Sequence, residues 1–296
     1  MDIIVAMPND LDLAQNLGIK GTSNGITFFN HTGASNIVFL VPSIIESYNT
    51  LPQVIMLSNI VVINTKNVDP LLGEILIACE LIKKPIILTD DTDINYLTAG
   101  LSTQISIVPK DKLLEKLYAF ASNLKISRED PEIVLDRSFN IKGIGDVVLG
   151  IIKKGSVKTY DKLIHSSGKE VTIKHIQSHD IDINEATAGT RVGLAIKGIE
   201  SKEIEKGDLL SKKEIKRVKS GVIELLVSSV IKDQKLEGNF LAAGDFVASE
   251  ISIKNIDGKL NFKLAKGLPL EIGSKLFILR KEAPKIFALG TIIDID

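Results

Sequence analysis

Near residue 125 the spacing of apolar residues changes character, and no other feature of the chain constrains its fold as strongly. Before it, short apolar runs at 3–7, 26–29, 36–41, 59–64, 85–89 and 104–108 alternate with helical patterns. That alternation predicts an α/β domain, a parallel sheet with crossover helices. The helix signal is clearest after Val68: Asp69 suits the cap, Pro70 the first helical position, and Leu71, Ile75, Ala78 and Ile82 recur at helical spacing. A second pattern, 110–122, places Leu113, Leu114, Leu117 and Phe120 on one side. The polar stretch 126–132 (ISREDPE) then reads as a linker. Beyond it lie only short β-type runs, at 133–144, 147–154, 162–165, 171–178 and 191–196, which predict a small antiparallel barrel. A lysine-rich segment, 211–219 (SKKEIKRVK), leads into a second β-rich region in which Asp257-Gly258 marks a hairpin. The expected division is 1–126, 127–210 and 211–296, an α/β domain followed by two antiparallel β-barrels.

The 296 residues exceed one ordinary core, and 44% hydrophobic content supplies enough apolar surface for several. With no Trp and abundant Ile, Leu and Val, those cores should be aliphatic. The single cysteine, Cys79, cannot pair within the chain, which fits a reducing compartment; it lies among apolar residues of the predicted helix and reads as an inert core thiol. The N-terminus has no basic n-region and no apolar run long enough to span a bilayer, so the expectation is a cytoplasmic protein without a membrane segment. A net charge of −1 does not point to DNA. The last third holds 15 Lys/Arg against 11 Asp/Glu, which leaves open a basic contact surface or ordinary scatter between domains.

The middle third carries the most specific signal: 136–150 (DRSFNIKGIGDVVLG), 155–163 (GSVKTYDKL), 176–180 (IQSHD), 188–194 (AGTRVGL), Gly198 and 204–209 (IEKGDL). Gly143 and Gly145 fall where one strand turns into the next, and Gly155 and Gly189 suit positive-φ turns. This run resembles the second domain of the translation GTPases of the EF-Tu and SelB group. The flanks agree with it: 59–64 (NIVVIN), the helix from Pro70 and 84–89 (KPIILT) look like the later half of a translation-factor G domain, and 17–30 (LGIKGTSNGITFFN) resembles an archaeal SelB-like subgroup. The last third resembles the family's third domain by position and β content. The resemblance implies a G-domain-like α/β unit followed by EF-Tu-like domains II and III.

Against that frame, the nucleotide-binding elements are missing. A GTP site of this class needs G-x-x-x-x-G-K-[ST] after the first strand, because backbone N–H groups and the Lys neutralise the phosphates. Here 7–14 reads MPNDLDLA, with no Gly, no Lys and two acids. The Asp-x-x-Gly element should follow the strand ending near Val41, where the chain reads Val41-Pro42-Ser43-Ile44. The guanine-reading Asn-Lys-x-Asp element should follow Leu88, where Thr89-Asp90-Asp91-Thr92-Asp93 stands. Charge-assisted hydrogen bonds contribute ~1.5–3 kcal/mol each, so losing several would weaken binding by many orders of magnitude. The expectation is a pseudo-GTPase: no enzyme, no catalytic residues, no cofactor.

In this family the second domain holds the aminoacylated 3′ end of tRNA, and the SelB branch uses an Asp-Arg pair and another Arg near the amino-acid side chain. The matching positions here are Asp136, Arg137 and Arg191, two guanidinium forks and a carboxylate suited to an acidic group. By the same resemblance Ile141 and Val147 are apolar walls for the terminal adenosine, and Gln177 replaces a Glu that contacts the ribose. Asp180 replaces a basic position, which argues against an EF-Tu-like grip on phosphate. The alternative, that Asp136, Arg137 and Arg191 form an ion-pair cluster stabilising the barrel, stays open. Lys212, Lys213, Lys216, Arg217 and Lys219 are the basic surface that would approach a tRNA backbone.

Other motifs carry less. His165, His175 and His179 lack the Cys or acid spacing of a metal set. Asp90, Asp91 and Asp93 lack the Gly and terminal Glu of a calcium loop. The run His165-Ser166-Ser167-Gly168 invites a nucleophile, but it reads as a hairpin with no base oriented by an acid. SelB proteins carry a further C-terminal domain, whereas Asp296 follows straight on the third β region, which argues against selenocysteine delivery as such. The reading is a translation-factor-like protein without GTPase activity whose partner is tRNA, a translation factor or a ribosome-associated protein. Its alternatives are a true GTP-binding factor with a non-standard site and a protein-only adaptor.

Overall fold

A computed structural model describes residues 1–44, 47–89, 98–125, 129–231 and 236–296. Seven strands form the first sheet: β1 (Ile3–Ala6), β2 (Ile19–Ser23), β3 (Ile26–His31), β4 (Ile37–Pro42), β5 (Ile60–Ile63), β6 (Ile86–Leu88) and β7 (Ile105–Ile107), in the order β2-β3-β4-β1-β5-β6-β7. β4, β1, β5, β6 and β7 run parallel, while β2 and β3 add an antiparallel edge. All six apolar runs are therefore strands, to within two residues at each end, and β2 is a strand the periodicity does not announce.

Among the described residues four helices cover the sheet: α1 (Leu11–Leu17), α2 (Thr50–Leu57), α3 (Pro70–Ile82) and α4 (Leu113–Asn123). α3 starts as expected, with the Asp69 carboxylate accepting from Leu72 N–H and Pro70 in the first turn. The predicted 110–122 helix is a 3₁₀ turn, Lys110–Lys112, followed by α4. α1 and α2 are seven and eight residues long, too short for a strong periodic signal. Successive residues of β1 enter opposite cores: Ile4 and Ala6 pack with α2 and α3, Ile3 and Val5 with α1 and α4. Burial on both faces is what a central parallel strand requires.

The middle third contains β8 (Glu132–Ile141), β9 (Gly145–Lys154), β10 (Ser156–Lys158), β11 (Lys162–His165), β12 (Glu170–Ser178), β13 (Ile181–Ile183), β14 (Glu185–Thr187), β15 (Arg191–Lys197) and β16 (Leu209–Ser211). Its antiparallel sheet runs β11-β16-β8-β9-β15-β12-β13, and β11 also pairs with β12, so six strands form a hydrogen-bonded ring. Gly143, Gly145, Gly155 and Gly189 all have positive φ. Gly189 has a second constraint, since a Cβ there would lie 2.6 Å from the Asp2 carbonyl oxygen. Glycine thus lets the first strand approach the middle sheet.

The last third closes into a six-stranded antiparallel barrel of β17 (Arg217–Val227), β18 (Gly238–Gly244), β19 (Val247–Ile256), β20 (Lys259–Pro269), β21 (Lys275–Leu279) and β22 (Ile286–Ile295). Asp257 and Gly258 join β19 to β20 with φ of 51° and 81°, as a two-residue hairpin needs. The boundary drawn after residue 210 falls inside β16, and the one after 126 lies outside the described residues. One apolar cluster crosses both: Leu51, Ile75 and Leu76 pack in a continuous body with Val134, Ile151, Leu209, Phe246, Phe277 and Ile286.

Candidate functional site

Where β1 ends, the chain supplies its own anion to the following helix. The Asp10 carboxylate caps α1 by accepting from Leu13 N–H at 3.0 Å, and it accepts from Asn64 Nδ2 at 2.8 Å. Lys110 Nζ lies 3.2 Å from its second oxygen. Asn9 and Asn64 close the same turn reciprocally: Asn9 Nδ2 donates to the Asn64 carbonyl at 2.7 Å, and Asn64 N–H to Asn9 Oδ1 at 3.0 Å. Nearby, β4 runs on through Pro42, and Ser43 N–H donates to the Gly25 carbonyl at 2.7 Å. Thr89 is buried and its N–H donates to the Ile63 carbonyl at 3.1 Å. Asp90, Asp91, Thr92 and Asp93 lie outside the described residues.

The Asp136/Arg191 pair sits at the junction of all three units. Arg191 Nη2 is 3.4 Å from Asp136 Oδ2 and donates to Thr22 Oγ1 at 2.6 Å, while its guanidinium carbon lies 3.3 Å from the Phe28 ring centroid. Arg137, on the same strand as Asp136, turns to the Ser23 carbonyl at 3.4 Å. Lys206 completes the cluster: its Nζ donates to the Asn24 carbonyl at 2.8 Å, is 3.7 Å from Asp136 Oδ1 and 5.4 Å from the Phe246 ring centroid. Burial pulls the Arg191 guanidinium down to about 10, against the opposing pull of Asp136. Burial also lowers Lys206, with Asp136 again opposing. The tip of the β2–β3 hairpin, residues Thr22 to Asn24, therefore occupies all three cations.

Sequence reasoning missed Lys206, Thr22, Phe28 and Phe246. Thr22 and Phe28 stand within the 17–30 run and Lys206 within 204–209, but all are distant in sequence from the groups they meet, and Phe246 stands in no motif.

Ile141 and Val147 lie apart from this cluster, whereas Gln177 pairs with Gly193, two residues along β15 from Arg191. Val147 pairs across the hairpin with Phe139, and Ile141 with Gly145 at its turn. Val147 also pairs with Ala195, four residues along β15 from Arg191, roughly 13 Å at strand rise. Gln177 is exposed and donates to Asp182 Oδ1 at 2.7 Å. The basic segment is largely paired: Lys212 lies 3.6 Å from Asp161, Lys213 2.5 Å from Glu271, and Arg217 2.9 and 2.6 Å from Glu205 and Asp208. Lys216 and Lys219 have no carboxylate partner among the described residues.

One reading needs correction. The His165 hairpin does have an acid beside its base, because Asp208 Oδ2 is 3.2 Å from His165 Nε2 and Ser167 Oγ is 2.8 Å from Nδ1. Asp208 is 43 residues away, so the spacing within the hairpin hid it. The Ser167 N–H also donates to Nδ1 at 3.1 Å, so the imidazole acts as a cap for its own turn. Burial pushes Asp208 up, but hydrogen bonds from His165, Glu205 N–H and Ser166 outweigh it and hold the carboxyl at about 2. His175 instead faces Asp182 at 3.1 Å, and among the described residues no three His, Cys, Asp or Glu side chains converge as a metal set.

A second charged network joins the middle and last units, with Lys84 of the first unit nearby. Lys153 bridges Asp245 at 2.7 Å and Glu132 at 3.2 Å, and Lys154 reaches Glu132 at 3.0 Å. Lys84 donates to the Met56 and Ser58 carbonyls, and burial pulls it down to about 8.

Comparison with known proteins places this geometry. A sequence profile described as Elongation factor Tu domain 2 matches residues 145–211. An uncharacterized protein of Methanocaldococcus jannaschii is 28% identical across 94% of each chain. The selenocysteine-specific elongation factor of the same organism is 28% identical over 62% of this chain and 46% of its own length. The apo structure of translation elongation factor SelB from Methanococcus maripaludis shares the fold across 100% of this chain and 80% of that one, with a TM-score of 0.77 at 19% identity. Among the described residues no helix is long and apolar enough to cross a membrane.

Proposed function

The chain belongs to the EF-Tu/SelB-like family of translation factors, and from that membership we propose a protein that works in translation by binding alone, without binding or hydrolysing GTP. The observation that carries this reading is the start of α1. A helix N-terminus attracts phosphate because its N–H groups are unpaired and its dipole is positive there. Here Asp10 takes one of those N–H groups and its negative charge faces the space a phosphate would need. Lys110 is already committed to Asp10. A nucleotide would have to displace an internal ligand and then meet its charge.

Its partner would be tRNA or a translation-associated protein, held by preformed surfaces with no γ-phosphate-driven switch. The continuous apolar cluster between the units supports the absence of a switch, since rearranging them would expose Phe246, Phe277 and Ile286. The protein-only adaptor is favoured by a separate observation: the hairpin tip occupies Arg191, Arg137 and Lys206, the cations that would otherwise read an acidic aminoacyl group.

Isothermal titration of the whole chain with GTP and GDP in magnesium tests the first point. Absence of heat with both is the expected result, and a one-to-one isotherm with either would restore nucleotide binding. Competition of a captured partner by total tRNA separates the two partner classes.

A further inference from the structure

On the barrel of the last third, β18 to β21 and the first unit's Tyr48 enclose a cleft of about 790 Å³, within the size range of small-ligand and peptide-anchor pockets. We propose that this cleft binds an acidic peptide segment that carries an aliphatic or aromatic anchor residue between its carboxylates.

The charge distribution is one-sided. Lys263, Arg280, Lys281 and Lys285 line the cleft, and Glu250 is its one acid. None of the four cations has a carboxylate within ion-pair distance among the described residues, in contrast to Lys212, Lys213 and Arg217. Arg280 is nevertheless held in place: its Nε donates to the Pro284 carbonyl at 2.9 Å, and its guanidinium carbon lies 5.9 Å from the Phe287 ring centroid. An oriented guanidinium with no anion beside it is suited to a carboxylate from outside. Between these charges the wall is apolar, made by Leu241, Ile251, Leu264 and Leu279.

The same wall argues against nucleic acid. Single strands bind by stacking bases on free aromatic faces. Phe240 packs against Phe287 with centroids 5.0 Å apart, and Lys285 lies 4.2 Å from the Tyr48 ring centroid. The barrel is closed, so no strand edge is open for a peptide to extend the sheet. Recognition therefore falls to an apolar side chain seated in the cleft with carboxylates reaching the four cations.

The test uses the whole chain and its Lys263→Glu/Lys281→Glu variant, both exposed positions, with circular dichroism to show that the variant folds. Short random peptides displayed on phage are selected on the native chain, and fluorescent copies of the enriched sequences are titrated against both proteins. The expected result is enrichment of Asp and Glu around Leu, Ile or Phe, with affinity weakened roughly tenfold by the double reversal. No enrichment, enrichment of basic or neutral sequences, or equal affinity for the variant would overturn the proposal. So would labelled tRNA that binds the native chain, loses binding in the variant and displaces the peptides.

Discussion

The Arg191 guanidinium carbon lies 3.3 Å from the centroid of Phe28, which fastens the middle sheet to the first through a half-buried cation over a ring. The contact is one of three that Arg191 makes, the others being to Thr22 and Asp136. Replacing Arg191 with Ala leaves Asp136 3% exposed, with Lys206 at 3.7 Å as its remaining counter-charge. The expected loss in urea unfolding is roughly 3 kcal/mol, because a buried carboxylate left with one long ion pair is costly. Arg191→Lys should recover only part of it, since an ammonium cannot stack and fork together. Unchanged stability in Arg191→Ala would show that the junction does not depend on this side chain.

Glu74, on α3, accepts from the Ile286 N–H at 2.9 Å and from the Lys285 N–H, so a first-unit carboxylate caps the start of β22. Glu74→Ala strands two backbone donors and should cost about 2–3 kcal/mol. The effect should appear in hydrogen exchange first at Lys285 and Ile286. Protection there equal to that of the native chain would refute the capping role.

Asp10→Ala removes a helix cap and should cost about 1 kcal/mol. It also removes the negative charge that faces an incoming phosphate, but provides no backbone cradle and no lysine of the P-loop type. Titration of this variant with GTP should stay without heat. Measurable binding would mean that Asp10 alone excludes the nucleotide.

The Asp208 carboxyl is held at about 2, below its ordinary 3.8. A carboxylate with a depressed folded-state pKa contributes stability that is complete above the unfolded value and is lost as pH falls through the folded one. Asp208 is almost fully buried, so solvent screening is small, and the contribution should be roughly 2 kcal/mol. Asp208→Asn should flatten the fall in stability between pH 4 and 2, an order-of-magnitude window set by that shift. An identical acid profile in native chain and variant would place the acid sensitivity elsewhere.

Burial pushes the Cys79 thiol up to about 12, and the residue has no exposed surface. Only the thiolate reacts with aromatic disulfides. Native protein should therefore resist modification until denatured, and rapid labelling at neutral pH would show that α3 opens without global unfolding.

Much of the fold is legible along the chain because its signals are local. Asp69 and Pro70 start α3 through groups three residues apart, and Asp257-Gly258 turns a hairpin through two φ angles. α1, α2 and β2 were not legible, since each is too short for its period to stand out, and Pro52 obscures a helix that tolerates it in the first turn. Asp136 and Arg191 do meet, with Gln177 on the neighbouring strand, yet Ile141 and Val147 lie along the sheet away from them.

By itself the chain determined most strand positions and the resemblance carried by residues 136–209, because each depends on side chains near one another in sequence. Only the tertiary structure decided what the charged residues do. Arg191 and Thr22 are separated by 169 positions, and Asp208 reaches a histidine 43 residues away. Whether an arginine faces solvent, a ligand or a threonine depends on which surfaces the three units bury against one another, and no local pattern encodes that packing.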